Sequence, residues 1–152
     1  MAGDPLATDG GQAVDFHVNV DHAVGYACRV VRKVRSAGLT VLVHSRDTAR
    51  LARLDQALWT FSVLDFLPHV DAGSPLAPQT PVWLSRETAA TGRDVLVLLE
   101  DEPVPNCREW FPHFDRVIDI VSADEDDLAR GRARFRAYRD AGLAPRRHEI
   151  AA

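Results

Sequence analysis

Arg116-Val117-Ile118-Asp119-Ile120-Val121-Ser122-Ala123-Asp124-Glu125 is the stretch that decides the fold. Its first six residues include four β-branched aliphatics and read as a buried strand. Ser122 stands three residues before Glu125, the spacing of a capping box, so a helix is expected at once. Asp124, Asp126 and Asp127 fill its first turn, where the positive end of the helix dipole favours acids. Arg130, Arg132, Arg134, Arg136 and Arg139 load the later turns, where cations are favoured. Gly142 stands where a glycine ends a helix, with Pro145 just beyond. A strand delivered directly into a helix is the unit of α/β architecture, and the unit recurs upstream.

Val14-Asp15-Phe16-His17-Val18-Asn19-Val20 alternates strictly, the pattern of a strand with one covered face. Asp21 is placed to cap the next helix, whose apolar stripe is Ala23, Val24, Ala27, Val30, Val31 and Val34, and Gly38 ends it. Leu39-Thr40-Val41-Leu42-Val43 lacks polar alternation and predicts a strand covered on both faces. Ser45 is the expected cap of a second helix, with Leu51, Leu54 and Leu58 at helical spacing. Residues 60–80 are loop-rich, broken by Pro68, Gly73, Pro75 and Pro78. Pro81-Val82-Trp83-Leu84-Ser85 reads as a short strand, Asp94-Val95-Leu96-Val97-Leu98-Leu99 as the most buried one, and 106–113 as a short helix. The alternation predicts a three-layer α/β domain around a mainly parallel sheet. Residues 1–13 are expected as a flexible N-terminal tail, 14–143 as the single domain and 144–152 as a C-terminal tail.

Within the last helix Arg130, Arg134 and Tyr138 lie four apart and form one row. Leu128, Phe135 and Gly142 are expected on the opposite side, towards the body of the domain. Two readings are open. The helix is a solvated element whose charges answer its own dipole, or its arginine forks and tyrosine form a site for an anionic peptide or phosphate.

At 152 residues, 46% hydrophobic and 26% charged, the chain has the composition of an ordinary soluble domain. A net charge of −4 argues against coating nucleic acid by bulk electrostatics. Cys28 and Cys107 match no metal or redox spacing, and Cys28 falls in an apolar helix pattern. The first 13 residues have no basic region and no apolar run, so a cytoplasmic, reducing compartment is expected, with no membrane partner. The first strand is followed by no glycine fingerprint or phosphate loop, so no nucleotide cofactor is expected. His17, His22, His44, His69, His113 and His148 are scattered without zinc spacing, and no serine sits in a nucleophile elbow. An enzyme reading rests on Asp21, Glu100, Asp101 and Glu102, which follow strands and would hold Mg²⁺ for phosphoryl transfer if those strand ends converge.

One other stretch is marked for exposure. Leu54-Asp55-Gln56-Ala57-Leu58-Trp59 ends a helix, and Phe66-Leu67-Pro68-His69 follows closely. Trp59 and Phe66 either form an apolar patch for a partner or pack under the loop as a satellite core.

These two motifs also carry a resemblance. With Pro81-Val82, Arg93-Asp94-Val95-Leu96-Val97, Phe114-Asp115-Arg116-Val117-Ile118-Asp119-Ile120-Val121 and Arg134-Phe135-Arg136-Ala137-Tyr138-Arg139-Asp140-Ala141-Gly142, they form an ordered set. The set resembles the chi subunit of bacterial DNA polymerase III holoenzyme over residues 14–143. Leu98 departs from it, standing where the family is expected to carry an asparagine. The resemblance implies a Rossmann-like fold without a nucleotide site and a non-catalytic clamp-loader accessory protein with no metal. It further implies two partners, a psi subunit and the acidic, aromatic C-terminal tail of single-stranded-DNA-binding protein, with DNA reached only indirectly. Residues expected to touch the tail are Val121, Arg134, Arg136, Tyr138, Arg139 and Gly142. Those expected to touch the psi-type partner are Trp59, Phe66, Pro68 and His69, a patch that a helicase would share. Direct binding of single-stranded DNA by the arginine-rich helix is the third reading.

Overall fold

A computed structural model describes residues 12–60 and 67–151. Seven strands form one sheet: β1 (Ala13–Val20), β2 (Val41–His44), β3 (His69–Asp71), β4 (Val82–Ser85), β5 (Val95–Leu98), β6 (Arg116–Ser122) and β7 (Ala144–Glu149). Their order across the sheet is β3-β4-β2-β5-β6-β1-β7, and every neighbouring pair is parallel. Helices α1 (Ala23–Ser36) and α2 (Thr48–Thr60) cover one face. The short α3 (Cys107–Trp110) and the long α4 (Glu125–Asp140) cover the other. Residues 41–43 and 95–99 are buried throughout, as their lack of alternation predicts. Each such aliphatic side chain contributes about 1.5–3 kcal/mol of burial.

The strict alternation expected of β1 holds only as far as Val18. Asn19 adopts φ 68°, and the β1–β6 register shifts between His17 and Val20. The bulge sends Val18 into the α4-side core and Val20 into the α1-side core.

The helix caps differ from expectation by one or two residues. His22, not Asp21, caps α1, its Nδ1 accepting from the Gly25 N–H at 3.0 Å. Ser45 is buried, and Asp47 accepts from the Arg50 N–H at 3.0 Å at the start of α2. Asp124, not Ser122, caps α4, accepting from the N–H groups of Asp126 and Asp127, while the Ser122 hydroxyl donates to the Asp127 carboxylate. At a helix N-terminus a carboxylate beats a hydroxyl because it also meets the dipole.

The largest correction concerns 144–149, expected as tail but folded as β7. Ala-Pro-Arg-Arg-His-Glu carries no apolar pattern, yet β1 offers it an open edge, and the two strands pair from Ala13↔Ala144 to Val18↔Glu149. The N–H groups of Ala144 and Ile150 donate inward to Gln12 and Val18, so Pro145 faces outward, where its missing N–H blunts the edge. Side chains tie the strand down as well. Buried Asp15 of β1 accepts from Arg146 at 2.9 Å, lies 3.1 Å from His148 Nε2, and also accepts from Arg116 of β6 at 3.2 Å. Burial alone would raise the Asp15 carboxyl, but these bonds hold it below its usual range. Beside it, burial lowers His17 to about 4.

Both groups push stability the same way. The folded state disfavours charged His17, so its contribution is whole above pH 6.5 and is lost as pH falls towards 4. That of Asp15 is lost at still lower pH, as the carboxyl protonates through its depressed value. Thermal melts should therefore show a midpoint that declines between pH 6.5 and 4, and His17→Gln should flatten that limb. An unchanged limb in the variant would remove His17 from the account.

Candidate functional site

Helix α4 crosses β6 closely because residue 131 is glycine. A Cβ there would meet both Val121 methyl carbons at 2.9 Å, which is inside contact distance. The buried stripe of α4 is Gly131, Arg134 and Tyr138, not the Leu128/Phe135 side. Arg134 is 2% exposed and binds Asp119 of β6 with both arms of its fork, Nε at 3.0 Å and Nη2 at 2.8 Å; Nη1 donates to the Asp101 carbonyl at 3.0 Å. Burial raises the Asp119 carboxyl against the pull of Arg134, and the pair holds the guanidinium more firmly charged. Tyr138 is fully buried against Phe111 and Phe16, and its hydroxyl accepts from the Val104 N–H at 3.1 Å. The expected surface row of Arg130, Arg134 and Tyr138 is thus corrected. Only Arg130 reaches solvent, and it pairs with Asp127 and Asp101.

Turning that row inward leaves the other side of α4 over the sheet edge, and a groove of about 430 Å³ opens there. Its floor is Phe16 and Val18 of β1, Val121 of β6, and Leu128 and Phe135 of α4. Phe135 lies 5.2 Å, ring centre to ring centre, from Phe16. Its rim is Arg132, Arg136 and Arg139 of α4 with Arg147 of β7, all exposed. Arg147 pairs with Glu149 and Arg139 stands 4.0 Å from Asp140, while Arg132 and Arg136 meet no carboxylate among the described residues. Of the residues expected to touch the tail, Val121, Arg136 and Arg139 line this groove. Arg134 and Tyr138 lie beneath the helix, and Gly142 (φ 90°) ends it outside the groove lining. Phe135 and Arg132 join the groove without having been marked as site residues, and Arg147, expected in the C-terminal tail to matter much less, lines it as well. The interior glycine at 131 was the legible signal, since glycine within a helix marks a close approach.

The second expected site lies at the opposite sheet edge. Trp59 ends α2 with 52% of its surface exposed, and its ring packs at a tilt against His69, ring centres 4.5 Å apart. His69 is buried between the Leu67 carbonyl at 2.8 Å and the Asp55 carboxylate at 3.0 Å. Pro68 is half-buried beside it, and Phe66 lies outside the described residues. A groove of about 390 Å³, lined by Thr48, Leu51, Asp55, Asp71 and Arg86 among others, adjoins this corner. Trp59 is therefore a surface side chain, not core.

At the strand ends Glu100 and Asp101 are engaged by basic neighbours rather than gathered with Asp21 around one cavity. Glu100 is buried, 2.6 Å from His44 Nε2, and accepts from Arg46 at 2.8 Å; those bonds overcome burial and keep its carboxyl below the usual range. Asp101 accepts from Arg50 at 3.0 Å. The crevice between them is about 30 Å³, room for a water rather than a nucleotide. Asp21 is exposed and does not line it. Among the described residues no three His, Cys, Asp or Glu groups are placed to hold a metal, and no helix is long and apolar enough to cross a membrane.

Residues 12–146 match the family model described as DNA polymerase III chi subunit, HolC. Similar curated proteins carry the same name. The DNA polymerase III subunit chi of Pseudomonas aeruginosa is 30% identical over 141 residues, covering 90% of this chain and 96% of that one. The Escherichia coli subunit is 28% identical over 118 residues, covering 76% and 78%. That of Haemophilus influenzae is 28% identical over 117 residues, covering 74% and 77%.

Proposed function

This chain belongs to the DNA polymerase III chi subunit family, non-catalytic accessory components of the replicative polymerase, and from that premise we propose that it links two partners. One is a psi-type subunit of the clamp loader, seated at Trp59, Pro68 and His69. The other is the acidic C-terminal tail of single-stranded-DNA-binding protein, seated in the groove on α4. The groove reaches DNA only through that partner, in the bacterial cytoplasm.

The observation that carries the tail site is an apolar floor rimmed by four arginines on a protein of net charge −4. Phe16, Val121 and Phe135 supply a surface for a terminal aromatic ring. Arg132, Arg136, Arg139 and Arg147 supply forks for its carboxylate and the acidic residues before it. Arg134 and Tyr138 serve the site by fixing how α4 lies on the sheet. Exposed charge pairs are individually weak and screened by salt, so affinity on the order of micromolar is expected.

A fluorescent acidic peptide ending in a free phenylalanine carboxylate tests the site. Arg132→Glu/Arg136→Glu should weaken binding about tenfold or more without moving the melting midpoint, and an amidated peptide should bind worse than the free acid. Equal binding by parent and variant would remove the peptide from this groove.

A further inference from the structure

The far face of the same sheet edge carries a second concentration of positive charge that the tail site does not use. Helix α1 holds Arg29, Arg32, Lys33 and Arg35 and no acidic residue. Beside it on that face, β6 presents Arg116 and β7 presents Arg146 and His148, with side chains 56%, 39% and 45% exposed. Ring groups tie the helix to the strands. His17 Nδ1 lies 2.6 Å from the Tyr26 hydroxyl, and the His17 ring lies 5.7 Å from Tyr26 and 5.6 Å from His148. The Arg29 guanidinium sits 5.5 Å from the Tyr26 ring centre, and both Lys33 and Arg116 bear electrostatically on His17.

Structure alone does not account for so many cations here. The helix dipole favours Lys33 and Arg35 near the end of α1, but says nothing about strand arginines. Asp15, 1% exposed, needs one compensating charge and is bonded by two arginines and a histidine. Neither Arg29 nor Lys33 pairs with a carboxylate among the described residues. The carboxylate beneath these strand cations, Asp15, is buried, while Arg116, Arg146 and His148 reach solvent.

We propose that this surface, formed by α1 with the β6, β1 and β7 strands, binds single-stranded nucleic acid through its phosphates. Helix α1, at 14 residues, is about 21 Å long, enough to run beside more than one phosphate of an unpaired strand. Tyr26, His17 and His148 interleave rings with the cations, the combination that suits unpaired bases. In β1, Phe16 and Val18 face the tail groove, while Asp15 and His17 face this patch. Tail and strand therefore occupy opposite sides of one sheet edge, and the inference stands whether or not the tail groove takes its peptide.

The test uses the full chain and fluorescein-labelled oligothymidine, followed by anisotropy at stepped salt concentrations. The parent should bind at low salt, and Arg29→Glu/Lys33→Glu should weaken binding at least tenfold. The same variant should lower the slope of log affinity against log salt by at least ~1.4, at ~0.7 for each phosphate it no longer neutralises. It should melt like the parent, since both side chains are exposed, and should still bind the tail peptide. Arg132→Glu/Arg136→Glu, on the other face, should leave oligonucleotide binding in place. No binding by the parent at low salt, or equal binding by the α1 variant, overturns the proposal. So does loss of binding in the groove variant instead, or equal affinity for a duplex of the same length.

Discussion

Replacing Arg134 with methionine (Arg134→Met) is expected to lower the free energy of unfolding by about 3–5 kcal/mol, because it leaves Asp119 fully buried without the cation that compensates it. The loss exceeds that of an ordinary surface pair for two reasons. Both arms of the fork engage Asp119, and the remaining nitrogen satisfies the Asp101 carbonyl, so three hydrogen bonds go with one side chain. Urea denaturation with an unchanged m-value would measure it. Removing both charges, Arg134→Met with Asp119→Leu, should recover much of the loss, since an apolar pair carries no desolvation cost. A stable Arg134→Met protein that had lost only its tail peptide would return Arg134 to the binding surface, where a reading of helix rows first sets it.

Trp59→Ala should act in the opposite manner, sparing the fold and removing a partner. With half its surface already in solvent, the ring contributes little core burial beyond its tilted contact with His69. Truncating a central interface aromatic costs about 2 kcal/mol or more, which is about a 30-fold loss of affinity. Co-purification with the psi-type subunit should therefore fail while the melting midpoint moves little and tail-peptide binding stays intact. Loss of cooperative melting in the variant would show that the side chain holds the α2–β3 corner together, and the partner site would have to be sought elsewhere.

The behaviour of these two residues marks what can be read without coordinates. Trp59 ends a leucine-spaced helix, and its pattern leaves open whether it packs under the loop or faces a partner; its 52% exposure decides for the surface. Arg134 sits within an arginine-rich helix, and periodicity assigns charged residues to solvent. Nothing within the helix reveals that Asp119, fifteen residues earlier on β6, is buried and needs a cation.

By itself the sequence determined the alternation of strands and helices, the doubly covered strands at 41–43 and 95–99, the C-terminal ends of α1 and α4, and the family. Each of these rests on neighbours within a few residues: apolar runs, helix-end charges, a glycine with positive φ, and ordered motifs. Only the tertiary structure decided which side of α4 faces the sheet and that 144–149 is a strand. Both depend on a buried carboxylate meeting a distant cation, Asp119 with Arg134 and Asp15 with Arg146. A charge taken out of water must be paired wherever the fold supplies a partner, and that requirement overrides the polarity pattern of the segment that supplies it.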